Sequence, residues 1–546
     1  MNASRVSIVC ASLLLSAASG CSSSTAEPAG STEQAIATYP GSGLTFGLAT
    51  GRTYDDIATN LGSRLGDFRA LGVSVLRTEI EGSDDARYQT IAGAASRYYG
   101  IELLALVSQA AVSDPLEVDD TGWFNSTYIP RYIARVERLM ADIPSLKYLE
   151  VWNEPDVYGF FIGLPDGSKK PGTDQTLPSQ DTRALRYAML VTQVFEHFHE
   201  AAAKGQRVPT LLAFDFSRQD DKLLRDLVYN QPPIVKHRAG YRPGRLPDGL
   251  PADIVSIHGY GNPALRPDQP GYAYMGTLED GIDDFLGATF ADGRSVINES
   301  PVWYTEIGVG SGRFGEQGQA DSMRTMIDTL RRHRQITGAF WYDYRDDEGN
   351  DPNRERNGLR GNRGDVGTVC AGTDGEKAWQ PFVKRASWDV YADLSGARGR
   401  TTFADVPLCH WAHDEIEALY ARGITTGAAP GWFDDTDPLK VKELDAFAKR
   451  AAGDLGAGVD GDSPAARRVD VAVKFYDGDH GAPYHGYFSD VPYTSDNANH
   501  WREIESLKDR HITTGIPTGD HLEFRPGDTL TRATAAVFIS RAFNLH

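Results

Sequence analysis

Between Gly43 and about Gly396, short apolar runs alternate with longer stretches in which apolar residues recur every three to four positions. The runs are Leu44–Leu48, Val73–Arg77, Ile101–Val107, Leu146–Trp152, Val208–Phe214, Ile254–His258, Val302–Thr305 and Gly338–Tyr342. Each has the length and near-continuous apolar character of a strand covered on both faces. In the connecting segments, Ile57, Leu61, Leu65, Phe68 and Leu71 fall on one helical face. Tyr132, Val136, Leu139 and Ile143 share another, and Met323, Met326, Ile327 and Leu330 a third. Strict alternation of strand and helix predicts parallel strands joined by crossover helices. Eight such units over roughly 350 residues fit an α/β fold of the (β/α)8 TIM-barrel type. An open doubly wound sheet is the alternative, but no Gly-rich phosphate-binding fingerprint follows the first strand.

The pattern changes after Gly396. Phe403-Ala404-Asp405-Val406-Pro407 recurs as Phe488-Ser489-Asp490-Val491-Pro492, and His410-Trp411 as His500-Trp501. Glu415–Leu419 recurs as Glu503–Leu507, and Ile424-Thr425-Thr426-Gly427 as Ile512-Thr513-Thr514-Gly515. Each copy predicts a short helix, a Gly-terminated turn, a loop and a second helix. The expected domains are therefore a barrel over 43–396 and a small all-α domain over 402–546, with repeats at 402–453 and 487–546. A third repeat is not evident; Ala465–Phe475 reads as a remnant helix.

Barrel chemistry gathers at the C-terminal ends of the strands. The fourth run ends Glu150-Val151-Trp152-Asn153-Glu154-Pro155, and the seventh ends Tyr304-Thr305-Glu306-Ile307-Gly308. Two carboxylates thus face one mouth, which is what glycoside hydrolysis requires: one gives a proton to the leaving oxygen, the other attacks or stabilises the anomeric carbon. These motifs resemble glycoside hydrolase clan A, closest to families 5 and 39, over residues 43–396. The resemblance implies Glu154 as acid/base, Glu306 as nucleophile and Asn153 as the donor to the sugar 2-hydroxyl. It implies an Arg77 beside the nucleophile, a His258 that orients its neighbours and a Tyr260 that hydrogen-bonds Glu306. Trp341 is expected as the aromatic platform under the sugar. Glu154 is expected to keep its proton near neutrality while Glu306 is ionised. This chemistry needs no metal and no cofactor.

The C-terminal repeats resemble the S-layer homology domain, which implies attachment to a cell-wall glycan. The polymer-contacting Thr-Arg-Ala-Glu run of that domain stands here as Thr531-Arg532-Ala533-Thr534, so Arg532 is the candidate glycan contact. The first repeat has Lys440-Val441-Lys442-Glu443 there, without an arginine.

At the N-terminus, Arg5 precedes an apolar run to Leu15 and a small-residue stretch, the order of a secretory signal. Ala18-Ser19-Gly20-Cys21 resembles a bacterial lipobox, which implies a signal peptide over 1–20, acylation of Cys21 and a membrane anchor. Residues 21–42 are small and polar and read as a flexible tether. The expected location is the cell envelope, at the outer membrane or cell surface. Cys370 and Cys409 are then the two thiols left for a disulfide, and the sequence leaves paired and separate states both open. The chain of 546 residues carries 55 Lys+Arg against 75 Asp+Glu, a formal charge of −20. Such a surface repels phosphate backbones and excludes nucleic acid as a natural partner. The expected function is an exported retaining β-glycosidase acting on a polysaccharide or oligosaccharide. A non-hydrolytic carbohydrate-binding surface protein and a transglycosylase remodelling the cell's own glycan are the alternatives.

Overall fold

The computed structural model describes residues 43–545 apart from 51–53, 81–84, 109–127, 156–179, 218–249, 261–277, 290–294, 296, 298–299, 346–357, 360–367, 371–381, 398–400, 409, 460, 477 and 479–483. The signal peptide, the tether with Cys21, and the Cys370–Cys409 pairing lie outside the described residues. No helix among the described residues is long and apolar enough to cross a membrane.

Eight strands close into a barrel in sequence order: β1 (Thr45–Ala49), β2 (Val75–Glu79), β3 (Glu102–Val107), β4 (Tyr148–Val151), β5 (Thr210–Phe216), β6 (Ile254–His258), β7 (Val302–Ile307) and β8 (Ile336–Tyr342). Neighbours are parallel throughout, and β8 returns to pair with β1 from Thr45↔Gly338 to Ala49↔Tyr342. The eight apolar runs of the sequence all become strands.

Two cores follow from strand alternation. Val75, Leu104, Tyr148, Leu212, Ile254, Trp303 and Phe340, one from each of seven strands, form a separate cluster that fills the barrel interior. Gly47 completes that layer by absence, since a Cβ there would lie 2.2 Å from the Phe340 ring. The other strand faces pack against the helices in a larger cluster. Ile57, Leu65 and Phe68 of one helical face, Tyr132, Val136 and Leu139 of the next, and Met323, Met326 and Leu330 of the third are all in it. Each such large side chain contributes about 1.5–3 kcal/mol on leaving water.

Near the mouth two strands, β5 and β7, carry an extra residue. Between β5 and β6 the register steps from Ala213↔Val255 to Phe216↔Ile257, and between β6 and β7 from Ile257↔Tyr304 to His258↔Glu306. A one-residue insertion exchanges the faces beyond it. With Leu212 and Trp303 inside the barrel, plain alternation would bring Phe214 and Thr305 inward. The bulges bring Asp215 and Glu306 instead, and Phe214 packs on Tyr187 of the covering helix.

The C-terminal region is helical, and three of its helices start at a common point: Val441–Ala451, Arg468–Phe475 and Arg532–Ala542. Leu439 N donates to Leu530 O (2.9 Å), Leu530 N to Ala466 O (2.8 Å) and Ala466 N to Leu439 O (2.7 Å), a closed ring of backbone hydrogen bonds. The stretch read as a remnant is thus the third member of a pseudo-threefold arrangement. Helix His413–Ala421 packs on Arg532–Ala542, and Trp501–Asp509 packs on Arg468–Phe475.

Two arginines lock these pairs in the same way. Arg532 Nε donates to Phe433 O at 2.7 Å and stacks over the Phe433 and Phe447 rings. Arg468 Nε donates to Phe524 O at 2.6 Å and stacks over Phe524 and Phe538. The third equivalent position, two residues beyond the ring, is Val441. Arg532 is only 5% exposed, and its Nη1 also meets Glu443 Oε1 at 3.2 Å. Its side chain is therefore taken up in joining the repeats, which corrects the expectation of a glycan contact there.

Barrel and repeats share one compact unit. Helix Leu61–Leu71 is buried along nearly all its length because it lies between the barrel and helix His413–Ala421. Gly62 and Gly66 allow the approach: a Cβ on Gly62 would sit 2.3 Å from Ala418 N, and one on Gly66 2.8 Å from Glu417 Cδ. Glu417, buried in this contact, accepts at Oε2 from Tyr99 (2.7 Å) and Thr402 (3.0 Å), while its Oε1 has no hydrogen-bond partner among the described residues.

Candidate active site

The barrel mouth is organised around Arg77 of β2. Its Nη1 donates to Glu306 Oε1 at 2.6 Å and its Nη2 to Asn153 Oδ1 at 2.9 Å. Its Nε pairs with Glu150 of β4, and Nη2 lies 3.5 Å from Asp215 Oδ2. Strands two, four, five and seven therefore meet on one guanidinium, which is 4% exposed and cannot be solvated away. The planar fork suits this: donors on fixed sides address several acceptors at once.

His258 closes the ring from β6. Its Nδ1 lies 2.9 Å from Glu154 Oε1 and 3.6 Å from Glu306 Oε2, and its Nε2 lies 4.0 Å from Asp215 Oδ2. Burial lowers the imidazole pKa, but the charge of Glu306 and the hydrogen bond to Glu154 outweigh burial and raise it. Tyr260 donates its hydroxyl proton to Glu306 Oε2. Carboxylate oxygens of Glu154 and Glu306 and a nitrogen of His258 lie within 4.8 Å of one another. We do not read this trio as a metal site, because Arg77 and Tyr260 already donate to the two Glu306 oxygens and the guanidinium opposes a second cation there.

Burial alone would raise the Glu306 pKa. The positive charges of His258 and Arg77, with hydrogen bonds from Tyr260 and Arg77, reverse that and hold it below the usual glutamate range. The backbone is strained where β4 ends: Trp152 has φ 76° and Glu154 φ 41°, neither a glycine. Such conformations cost roughly 1–3 kcal/mol each and persist where the surroundings over-determine them, typically at functional sites.

Six of the residues singled out from the sequence thus converge: Arg77, Asn153, Glu154, His258, Tyr260 and Glu306. Trp341 does not join them. It is 1% exposed and belongs to the core between strands and helices, so no face of its indole is open to a sugar. Strand alternation explains why: Phe340 occupies the interior layer, Trp341 turns outward, and Tyr342 is the next residue to face the mouth, its ring 6.3 Å from that of Tyr260.

Glu150 and Asp215 were not singled out, and both are fully buried. An available signal was a lone acid inside each apolar strand, in Tyr-Leu-Glu-Val and in Leu-Ala-Phe-Asp-Phe. Higher in the mouth, Ser108 donates to Glu79 Oε1.

Comparison with known proteins matches residues 402–433 to the S-layer homology domain. No curated protein matches the chain. Among solved structures the chain is similar to a family 39 glycoside hydrolase from Bacteroides cellulosilyticus WH2, with 17% identity, 64% of this chain and 63% of that one covered, and a TM-score of 0.40. It is also similar to a beta-glucosidase from Exiguobacterium marinum, with 11% identity, coverage of 66% and 99%, and a TM-score of 0.43. A family 1 β-glucosidase from Thermotoga maritima gives 14% identity, coverage of 66% and 99%, and a TM-score of 0.41.

Proposed function

We propose that this protein is an exported retaining β-glycosidase that hydrolyses O-glycosidic bonds in a polysaccharide. The observation that carries the reading is the pair Glu154 and Glu306 at one barrel mouth, with one carboxyl oxygen of each within 4.8 Å of the other and Arg77 bound to only one of the two. Carboxyl groups about 5–5.5 Å apart leave no room for water between them and a sugar, so the second attacks directly.

Glu306, held ionised, attacks the anomeric carbon while the glycosidic C–O bond breaks and the leaving oxygen takes the proton of Glu154. The charge on Glu306 disappears in the ester. Glu154 then removes a proton from water, the water oxygen attacks the anomeric carbon, and the Glu306 carboxylate departs. Asn153, its amide oxygen held by Arg77, keeps its NH2 group for the sugar 2-hydroxyl. The same reading takes the C-terminal repeats to a cell-wall glycan and Cys21 to a lipid anchor at the cell surface.

Reducing-end release from a panel of neutral β-glycans tests the proposal. Wild type should release sugar, Glu306→Ala should lose activity by several orders of magnitude, and Glu154→Gln should lose ~10²–10⁴-fold. Equal release by wild type and Glu306→Ala would overturn it. Release of a product with inverted anomeric configuration would overturn the double displacement while keeping the hydrolase.

A further inference from the structure

Under the mouth lie two carboxyl groups that the double displacement does not use. Glu150 and Asp215 are both 0% exposed, and both contact Arg77: Glu150 at Nε, Asp215 at Nη2 (3.5 Å). One oxygen of each, Glu150 Oε1 and Asp215 Oδ1, has no hydrogen-bond partner among the described residues. Buried anions without full hydrogen bonding are costly, so the pair calls for a physical account.

The groups around them leave little choice of arrangement. From β2 comes Arg77, from β4 Glu154, from β6 His258 and Tyr260, and from β7 Glu306. The phenols behind the strands are spent elsewhere, Tyr132 donating to Val107 O (2.7 Å) and Tyr187 to Val151 O (3.0 Å). Arg77 and at most one imidazolium thus face four carboxyl groups, and like charges this close cannot all ionise.

We propose that Glu150 and Asp215 are positioning residues for the nucleophile, Glu150 as the anion that draws part of Arg77's charge away from Glu306 and Asp215 as an uncharged carboxylic acid that steadies Arg77 and His258 from below. Glu150 holds the Nε edge of the guanidinium and Glu306 an Nη atom, so the two compete for one cation. Without Glu150 the full charge falls on Glu306, which becomes a weaker base and a weaker nucleophile. Asp215 stands beside Glu150, farther from Arg77, in a place where burial first and Glu150 second raise its pKa well above the usual range. Its site exists only because of the β5 bulge.

The inference rests on Glu306 being the nucleophile, and two measurements separate the claims. In kcat/KM against pH, Glu150→Gln should move the acid limb to lower pH by roughly one unit, lower kcat several-fold and leave KM within about twofold. Asp215→Asn should lower kcat while the acid limb stays in place. An unmoved limb in Glu150→Gln, or an acid-ward shift in Asp215→Asn matching that of Glu150→Gln, would overturn the proposal. Infrared titration of the full chain needs no substrate. In a Glu154→Gln background, where the acid/base carboxyl no longer contributes, a protonated-carboxyl band at neutral pH that is lost on adding Asp215→Asn is the expected result; its absence from Glu154→Gln overturns the uncharged Asp215. Failure of the nucleophile reading shows separately, as undiminished release by Glu306→Ala.

Discussion

At the scale of single residues, the charge arrangement fixes the direction of a pH response. In the proposed double displacement Glu306 must be ionised to attack, and its pKa is lowered by His258, Arg77 and Tyr260 against the opposing effect of burial. This requirement is therefore met above the ordinary glutamate range of about 4.3, and the acid limb of activity appears only as pH drops through the lowered value. Arg77→Met removes a cation 2.6 Å from Glu306, so the acid limb should move to higher pH, by roughly 1–3 units, in a kcat/KM profile. A second pair of substitutions separates platform from core. Tyr342→Ala should raise KM with little effect on stability. Trp341→Ala should lower unfolding free energy by about 3–5 kcal/mol, read by chemical denaturation, with KM unchanged in the folded fraction.

At the scale of elements, the eight strands were legible because buried parallel strands write themselves as apolar runs, and the ends of those runs pointed to the mouth. The face each side chain takes was less legible. A β-bulge leaves no mark on composition, so period-two reading of Leu-Ala-Phe-Asp-Phe assigns Phe214 inward and Asp215 outward, the reverse of what is seen. Trp341 differs: the resemblance suggested it as the platform, whereas plain alternation beside the inward Phe340 already turns it outward. The third central helix was hidden differently. The segment before Arg468–Phe475 has no Phe-x-Asp-Val run of its own, and the ring joining Leu439, Ala466 and Leu530 is made of backbone groups. Arg468 is the sequence mark of its role. Arg468→Met should leave Phe524 O without its donor and cost about 1–3 kcal/mol in denaturant titration. Val441→Ala, at the equivalent but 38% exposed position, should cost much less.

At the scale of the whole molecule, barrel and repeats meet backbone against backbone at Gly62 and Ala418. Alanine favours a helix over glycine by about 0.5–1 kcal/mol, so a Gly→Ala change in a helix ordinarily stabilises. Gly93→Ala, where a Cβ meets nothing within 4 Å, should do so. Gly62→Ala should do the opposite, losing about 1–3 kcal/mol and splitting one calorimetric transition into two, because its Cβ would fall 2.3 Å from Ala418 N.

That seam has a thermodynamic corollary. When two parts unfold together, whatever binds either native part protects both, by an amount that grows with the logarithm of ligand concentration over Kd. A glycan held in the cleft would raise the temperature at which the repeats melt, and wall material on the repeats would raise the temperature at which the barrel loses its site. Heat resistance of the enzyme would then be a property of where it is attached, highest on the intact cell and lower once shed.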